Sequence, residues 1–566
     1  MRARALPFVC VSLASILAGC SDSGGGTLPG GPTTTSSGMT GTGVPATGAG
    51  AGGSDSTGGA TSGGATTSSG VGGSDSPGSG GSGGSGSIPD AGPVIPGTFS
   101  RPKGQIPNTE QPAGKANLPE AKWADGLISP SMEINHHINQ PVVLNGYLGL
   151  SGNAELTWYD IQDPTKPKQL SQIVSPGFDP KAGGKGEGEA ESHQVAFAKY
   201  DDSFYEVTTS GTGVDIWNVT DVSKVKHVQS ITLQGIKYGD FTGAVWGEYW
   251  QGDTIYVGGT DTGLHILDAK DPNNVKVVKR LTVADLGGVS AGPVYAIGNI
   301  LVVTTPKESG GISLLDISDP LNPVRIRAIT TGKSYIGAFY GHHLYLQSPL
   351  RVWDVLTDPT ALTSSPISSL GTDGSEYMSF SDGYMFLGHL RPHPGASKIN
   401  VTDPHKMKVE SRIWGRHVPG PGGTVIYDDQ FTIKIGSLLV MTDDEKPYLG
   451  AVIGVQSTEP DKLPPSVDTI IPKDKSTGVS IKSRIGISFT DNIEFATVNL
   501  ASLIVRPMGG QPVPGNWGLY MGVLNFDPAG ELLPKTTYEV VLPKGGLTDL
   551  VGNEIATEFK STFTTQ

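Results

Sequence analysis

Apolar and polar residues alternate in short runs along most of this chain, and the runs come in a fixed order. The clearest instance starts at Ile312-Ser313-Leu314-Leu315-Asp316 and continues through Asp319-Pro320 to Val324-Arg325-Ile326. It is an alternating run into an Asp, an Asp-Pro turn, and a second alternating run. Related stretches carry Asp160, Asn218, Asp268, Asp354 and Asn400 at the same place, with a worn copy at Asp443, so the motif recurs about every 47 residues. Strand alternation at a period in the forties predicts propeller blades. Ahead of each copy lie two apolar runs around a turn, as at Asn145-Gly146, Gly298-Asn299 and Asp382-Gly383. Such pairs favour hairpins because the turn needs positive φ. A blade is then four strands: two around that turn, a third into the Asp, and a fourth beyond the Asp-Pro corner. At the corner Pro presets φ, and the Asp side chain can accept a backbone N–H. Seven copies predict an all-β ring of about seven blades over residues 136–458. Residues 100–135 form an irregular lead-in that could add a closing strand.

The Asp-containing third strand and the Asp-Pro corner resemble the LVIVD repeat of exported bacterial beta-propeller proteins, over roughly residues 136–456. The second copy departs from the pattern, with Asn218 for the strand Asp and no Pro after Asp221, and the seventh has almost no corner. Around Pro464-Pro465 the repeat stops. Short alternating runs from Ile470 to Phe563, separated by turn residues, read as a β-sandwich. Thr537-Tyr538, Asp549-Leu550-Val551-Gly552-Asn553 and Phe559 to Thr564 resemble the bacterial Ig-like domain of the SbsA type, over 464–566. That resemblance implies a spacer or adhesive module and brings no catalytic residue with it.

Composition changes the picture mainly at the N-terminus, where many of the 81 glycines gather. Arg2 and Arg4 precede a mostly apolar run from Leu6 to Leu17, shorter than the roughly 20 residues a spanning helix needs. It ends in Leu17-Ala18-Gly19-Cys20, which resembles the lipobox of bacterial lipoproteins. The resemblance implies a signal peptide over 1–19, lipidation of Cys20, and durable membrane attachment through a triply acylated Cys. By analogy with enteric sorting, Ser21 after the Cys implies the outer membrane. Residues 20–99, almost wholly Gly, Ser, Thr and Ala, have nothing to bury and read as a disordered tether. As a flexible coil it would span roughly 50 Å.

The formal net charge of −14, with no Lys/Arg run, excludes an obvious nucleic-acid surface. The two cysteines, Cys10 and Cys20, both lie in the processing region, so the globular part has no disulfide, thiolate nucleophile or Cys metal ligand. Gly-x-Ser-x-Gly occurs at Gly80–Gly84 and Gly288–Gly292 without the strand-then-helix pattern of a nucleophile elbow, and there is no His-Glu-x-x-His or Cys–His pair. Aligning blades at Tyr147, Phe204 and Leu344 and counting back eleven residues gives His136, His193 and Lys333, near one mouth of the channel. With neighbours Glu191, Asp373 and Glu376 they could bind a polar ligand or a divalent metal; no cofactor is otherwise expected. Gly183 to Glu189, Asp428-Asp429 and Asp443-Asp444-Glu445 read as loops and solvated turns. The aromatics Trp246, Tyr249 and Trp250 could pack between blades or form a glycan platform. The reading is a membrane-anchored envelope protein whose ring binds a protein or glycan, with the sandwich as spacer. The alternatives are a metal-dependent or hydrolytic enzyme using the channel mouth, and a purely structural envelope protein.

Overall fold

The computed structural model describes residues 98–108, 127–133, 138–152, 155–176, 192–237, 242–347, 349–371, 375–389, 395–414, 417–420, 423–426, 431–443, 450–455, 457 and 459–566. Its strands form seven four-stranded antiparallel blades. Blade four is typical: Val294–Ile297, Ile300–Val303, Gly311–Asp316 and Val324–Thr330 pair in sequence order. The first strand lines the channel and the fourth lies at the rim. Blades pack through their faces, burying Trp158, Trp217, Trp250 and Trp353 almost completely. Apolar burial of this kind is worth about 25 cal/mol per Å².

The recurring Asp is a hydrogen-bond acceptor that holds the corner between the third and fourth strands. Asp160 Oδ1 accepts from Gln162 N, Asp268 Oδ1 from Lys270 N, and Asp316 Oδ1 from Ser318 N. The second acidic residue repeats the device, as at Asp163 with Thr165 N and Asp403 with His405 N. In the degenerate copies Asn218 and Asn400 accept from Thr220 N and Thr402 N in the same way. The corner needs a short side chain with an acceptor oxygen, not a charge.

Blade seven corrects the sequence reading. Leu438–Asp443 is its second strand, not the third, and lies between Phe431–Ile435 and Gly450–Val455. Its fourth strand is Leu127–Glu133, which pairs antiparallel with Gly450–Val455. The lead-in therefore closes the ring. After Val455 the chain leaves for the C-terminal sandwich and never turns into a rim strand, so no Asp-Pro corner is needed there.

The sandwich has one sheet of Val467–Ile471, Ile485–Phe489, Val523–Pro528 and Gly515–Tyr520. Its other sheet is Ser476–Val479, Phe559–Thr565, Thr537–Leu542 and Ile504–Pro507. Phe489, Phe526, Tyr538 and Phe563 fill the space between them. The expectation that this module is a spacer does not hold. Gly515–Tyr520 pairs with Ala196–Tyr200, the innermost strand of blade two, with Trp517 opposite Lys199 and Leu519 opposite Phe197. The two sheets become one of eight strands. The innermost strand of a blade leaves one edge of N–H and C=O groups facing the channel, and here the sandwich takes it. Ring and sandwich fall in one compact unit.

Candidate functional site

The channel has two ends, and the turns between first and second strands mark one of them. The sandwich contacts six of these turns and the first strand of blade two. Glu494 accepts from Asn145 N at 2.7 Å and Gly146 N at 2.9 Å in blade one. Lys199 Nζ donates to Val498 O in blade two. Asp253 N donates to Asp527 Oδ2, and Gly298 N to Asn525 Oδ1, in blades three and four. His342 meets Thr469, Asp382 N donates to Thr490 O, and Gly436 lies against Val551 in blades five to seven. The hairpin of Gly515–Tyr520 and Val523–Pro528 carries Tyr520 to the channel wall, its ring 5.7 Å from Tyr249 and 6.0 Å from Tyr295. Next to it a cavity of about 40 Å³ is bordered by Gln140, Phe197, Ser379, Thr432, Asn492 and Met521. That is room for a few water molecules.

The opposite end, where the first strands begin, is lined with aromatic side chains. His193 stacks on Trp246 at 4.1 Å and 14°, and on Tyr377 at 6.1 Å, which joins blades two, three and six. Tyr377 stacks on Phe431 at 3.5 Å, and Trp246 lies 5.5 Å from Tyr335. His193, Trp246 and Tyr377 are 3, 4 and 6 % exposed. Tyr335 is partly exposed; over it, at 5.2 Å, sits the Lys333 ammonium, which also pairs with Glu308 at 2.6 Å. Lys333 and Tyr335 thus present the accessible polar and aromatic edge of this mouth.

Of the residues singled out from sequence, His193 and Lys333 both join this aromatic chain. Cys20, His136, Glu191 and Asp373 lie outside the described residues, as do Gly183 to Glu189, Asp428-Asp429 and Asp444-Glu445. Glu376 lies on Ser375–Ser381, with its side chain outside the description. The blade alignment is off by one. Tyr147 follows its two-residue turn directly, and the matching residues are Ser203 and His343, not Phe204 and Leu344. A slip of one residue reverses which face a strand side chain occupies. Trp246, Tyr249 and Trp250 are all buried and serve packing, so the glycan-platform reading of these three falls.

Two features had no sequence signal. Glu206 and Glu248 are buried in blades two and three. Burial pushes Glu206 up to about 8 and Glu248 well above the ordinary carboxylate value, so both are held neutral near pH 7. Thr209 Oγ1 donates to Glu248. The second feature is an ionic node where ring and sandwich meet. Asp382, Asp461 and Asp491 bring carboxylate oxygens within 4.8 Å of one another. Lys434 Nζ is seated among them, 2.9 Å from Asp461 and 3.7 Å from Asp382, and donates to Ser381 Oγ at 2.9 Å. The carboxylate spacing suits a cation, and the ammonium supplies that charge.

Residues 461–565 match the family model of the bacterial Ig-like domain. The C-terminal sandwich is a bacterial Ig-like domain. The chain is also similar, at low identity, to solved structures. The structure of U3-55K has 10 % identity and a TM-score of 0.41, covering 57 % of this chain and 97 % of that one. The beta-propeller domain of Myceliophteria thermophila Cps50 (Swd1) has 12 % identity and a TM-score of 0.41, covering 57 % and 98 %. No curated protein matches the chain. No helix among the described residues is long and apolar enough to cross a membrane.

Proposed function

We propose that this protein is a lipid-anchored component of a bacterial envelope whose propeller binds a protein or glycan partner at its open face. The observation that carries this reading is the use of one face by the cap: every blade meets the Ig-like domain there, six through the first-to-second-strand turn and blade two through its first strand. Partner recognition then falls to the opposite mouth, where Tyr335 and Lys333 are accessible. A partly exposed aromatic ring beside a cation suits both a sugar face and a polar protein surface. The Ig-like domain acts as a fixed cap. The anchor rests on Leu17-Ala18-Gly19-Cys20, and the bacterial family of the cap supports an envelope setting.

Two experiments test it. Palmitate labelling that is sensitive to globomycin and lost in Cys20→Ser supports the anchor; soluble release of the wild type overturns it. Glycan-array and envelope-protein binding by the full-length protein should fall at least tenfold in Tyr335→Ala/Lys333→Ala. Unchanged binding in a folded double variant removes the open-mouth assignment.

A further inference from the structure

Two nodes of the joint between ring and cap hold more carboxylates than cations among the described residues. At the first node three carboxylates, Asp382, Asp461 and Asp491, share the single ammonium of Lys434. At the second, Asp253 and Asp527 face each other across the seam with Arg484, whose Nη2 lies 2.9 Å from Asp527 Oδ2. Like charges this close in a water-poor seam cannot all ionise without opposing the contact that holds them together. We infer that the cap is seated by an acid-strengthened joint, tight at mildly acid pH and looser as the pH rises through neutrality.

Asp491 is the group on which this turns. Facing it are Asp382 from blade six, Lys434 from blade seven and Asp549 from its own domain. Asp461 on the connecting segment completes the node around Lys434. The Tyr340 hydroxyl of blade five, which donates to Thr490 O, lies within electrostatic reach of Asp491. Burial, then Asp382, holds the Asp491 carboxyl well above its ordinary value, with Lys434 opposing. Burial is also the main cause that lifts Asp549, and burial followed by Asp527 lifts Asp253, each to about 6. Lys434 is held above its ordinary value: burial works against that, and Asp491 and Asp461 outweigh it. It therefore stays charged across this range. A carboxyl raised by folding favours the folded joint below its unfolded value near 4, and that advantage is lost as pH climbs through the raised value. The window therefore runs from about pH 4 to above 6.

What loosens first is the strand seam of Gly515–Tyr520 on Ala196–Tyr200, the part of the joint held by main-chain pairing. The test is hydrogen exchange on the full-length protein at pH 5.5 and 7.5, corrected for intrinsic exchange rates, following peptides over 196–200 and 515–520. Protection should fall at least threefold more at pH 7.5 in these peptides than in the rim strand Val324–Thr330. Asp491→Asn should remove most of the difference. Should that variant fail to fold, Asp382→Asn, on a less buried turn, should at least halve it. Equal pH dependence of seam and rim in the wild type overturns the inference, and so does an unchanged difference in a folded Asn variant.

Discussion

The ring has two faces made by different rules. On the capped face lie the residues that the blades share: the hairpin turns and the corners held by Asp160, Asn218, Asp268, Asp316, Asp354 and Asn400. On the open face lie residues that no two blades share, such as His193, Trp246, Tyr335 and Tyr377. Repetition makes one face regular enough for a single domain to touch every blade. The other face is left free to differ from blade to blade. Sites grafted on a repeat fold belong where the repeat is least faithful.

Substitutions at four positions would break or sharpen this contrast. Glu494→Ala should have the largest effect. Its carboxylate takes three N–H groups, from Asn145, Gly146 and Ala496, and their loss of partners should cost roughly 4 kcal/mol in urea unfolding. A change confined to the cap's own transition would mean that the two domains melt independently. Trp246→Ala, on the open side, should cost about 3 kcal/mol through the cavity it leaves. Seam protection by hydrogen exchange should stay as in wild type; if it falls, the two faces are coupled. Asn218→Ala should cost about 1 kcal/mol by removing the acceptor for Thr220 N, whereas Asn218→Asp should be nearly neutral. A large cost for the Asp form in thermal melts would show that the corner distinguishes charge. Lys333→Ala should change stability by less than about 0.5 kcal/mol, its pair with Glu308 being solvent-exposed on one side. Only partner binding should register its loss.

The architecture was legible because it is written in local patterns. Alternation, Gly-containing turns and Asp-Pro corners recur often enough for four strands per blade to be read directly. The seventh blade was misphased at Asp443 because its fourth strand comes from Leu127–Glu133, and no local pattern announces pairing between distant segments. The union of Gly515–Tyr520 with blade two was invisible for the same reason: an edge strand carries no mark of the strand it will meet. The mouth was found only in part. Counting from hairpin turns reaches His193 and Lys333 even when one position out, because neighbouring residues at a strand start lie at the same end of the channel. Tyr335 and Tyr377 have no sequence signal, since an aromatic residue at the start of a strand carries no mark that separates the mouth from the core. The Asp382, Asp461 and Asp491 node draws on a hairpin turn, a connecting segment and the cap, a convergence that exists only after folding.

The segment ahead of the closing strand also determines how the molecule would carry load. Thr98 O accepts from Asn499 Nδ2, and Arg101 donates to Gly545 O and pairs with Glu554 at 2.7 Å, all on the cap. Gly104 N then donates to Asn145 O, and Asn108 exchanges bonds with Asp461, before the chain reaches Leu127. Tension applied through the preceding chain is therefore met by the sandwich and its joint first. The clasp that closes the ring sits downstream of this strain relief, so a pull on the N-terminus would have to strip the strap from the cap before it could shear Leu127–Glu133 from Gly450–Val455.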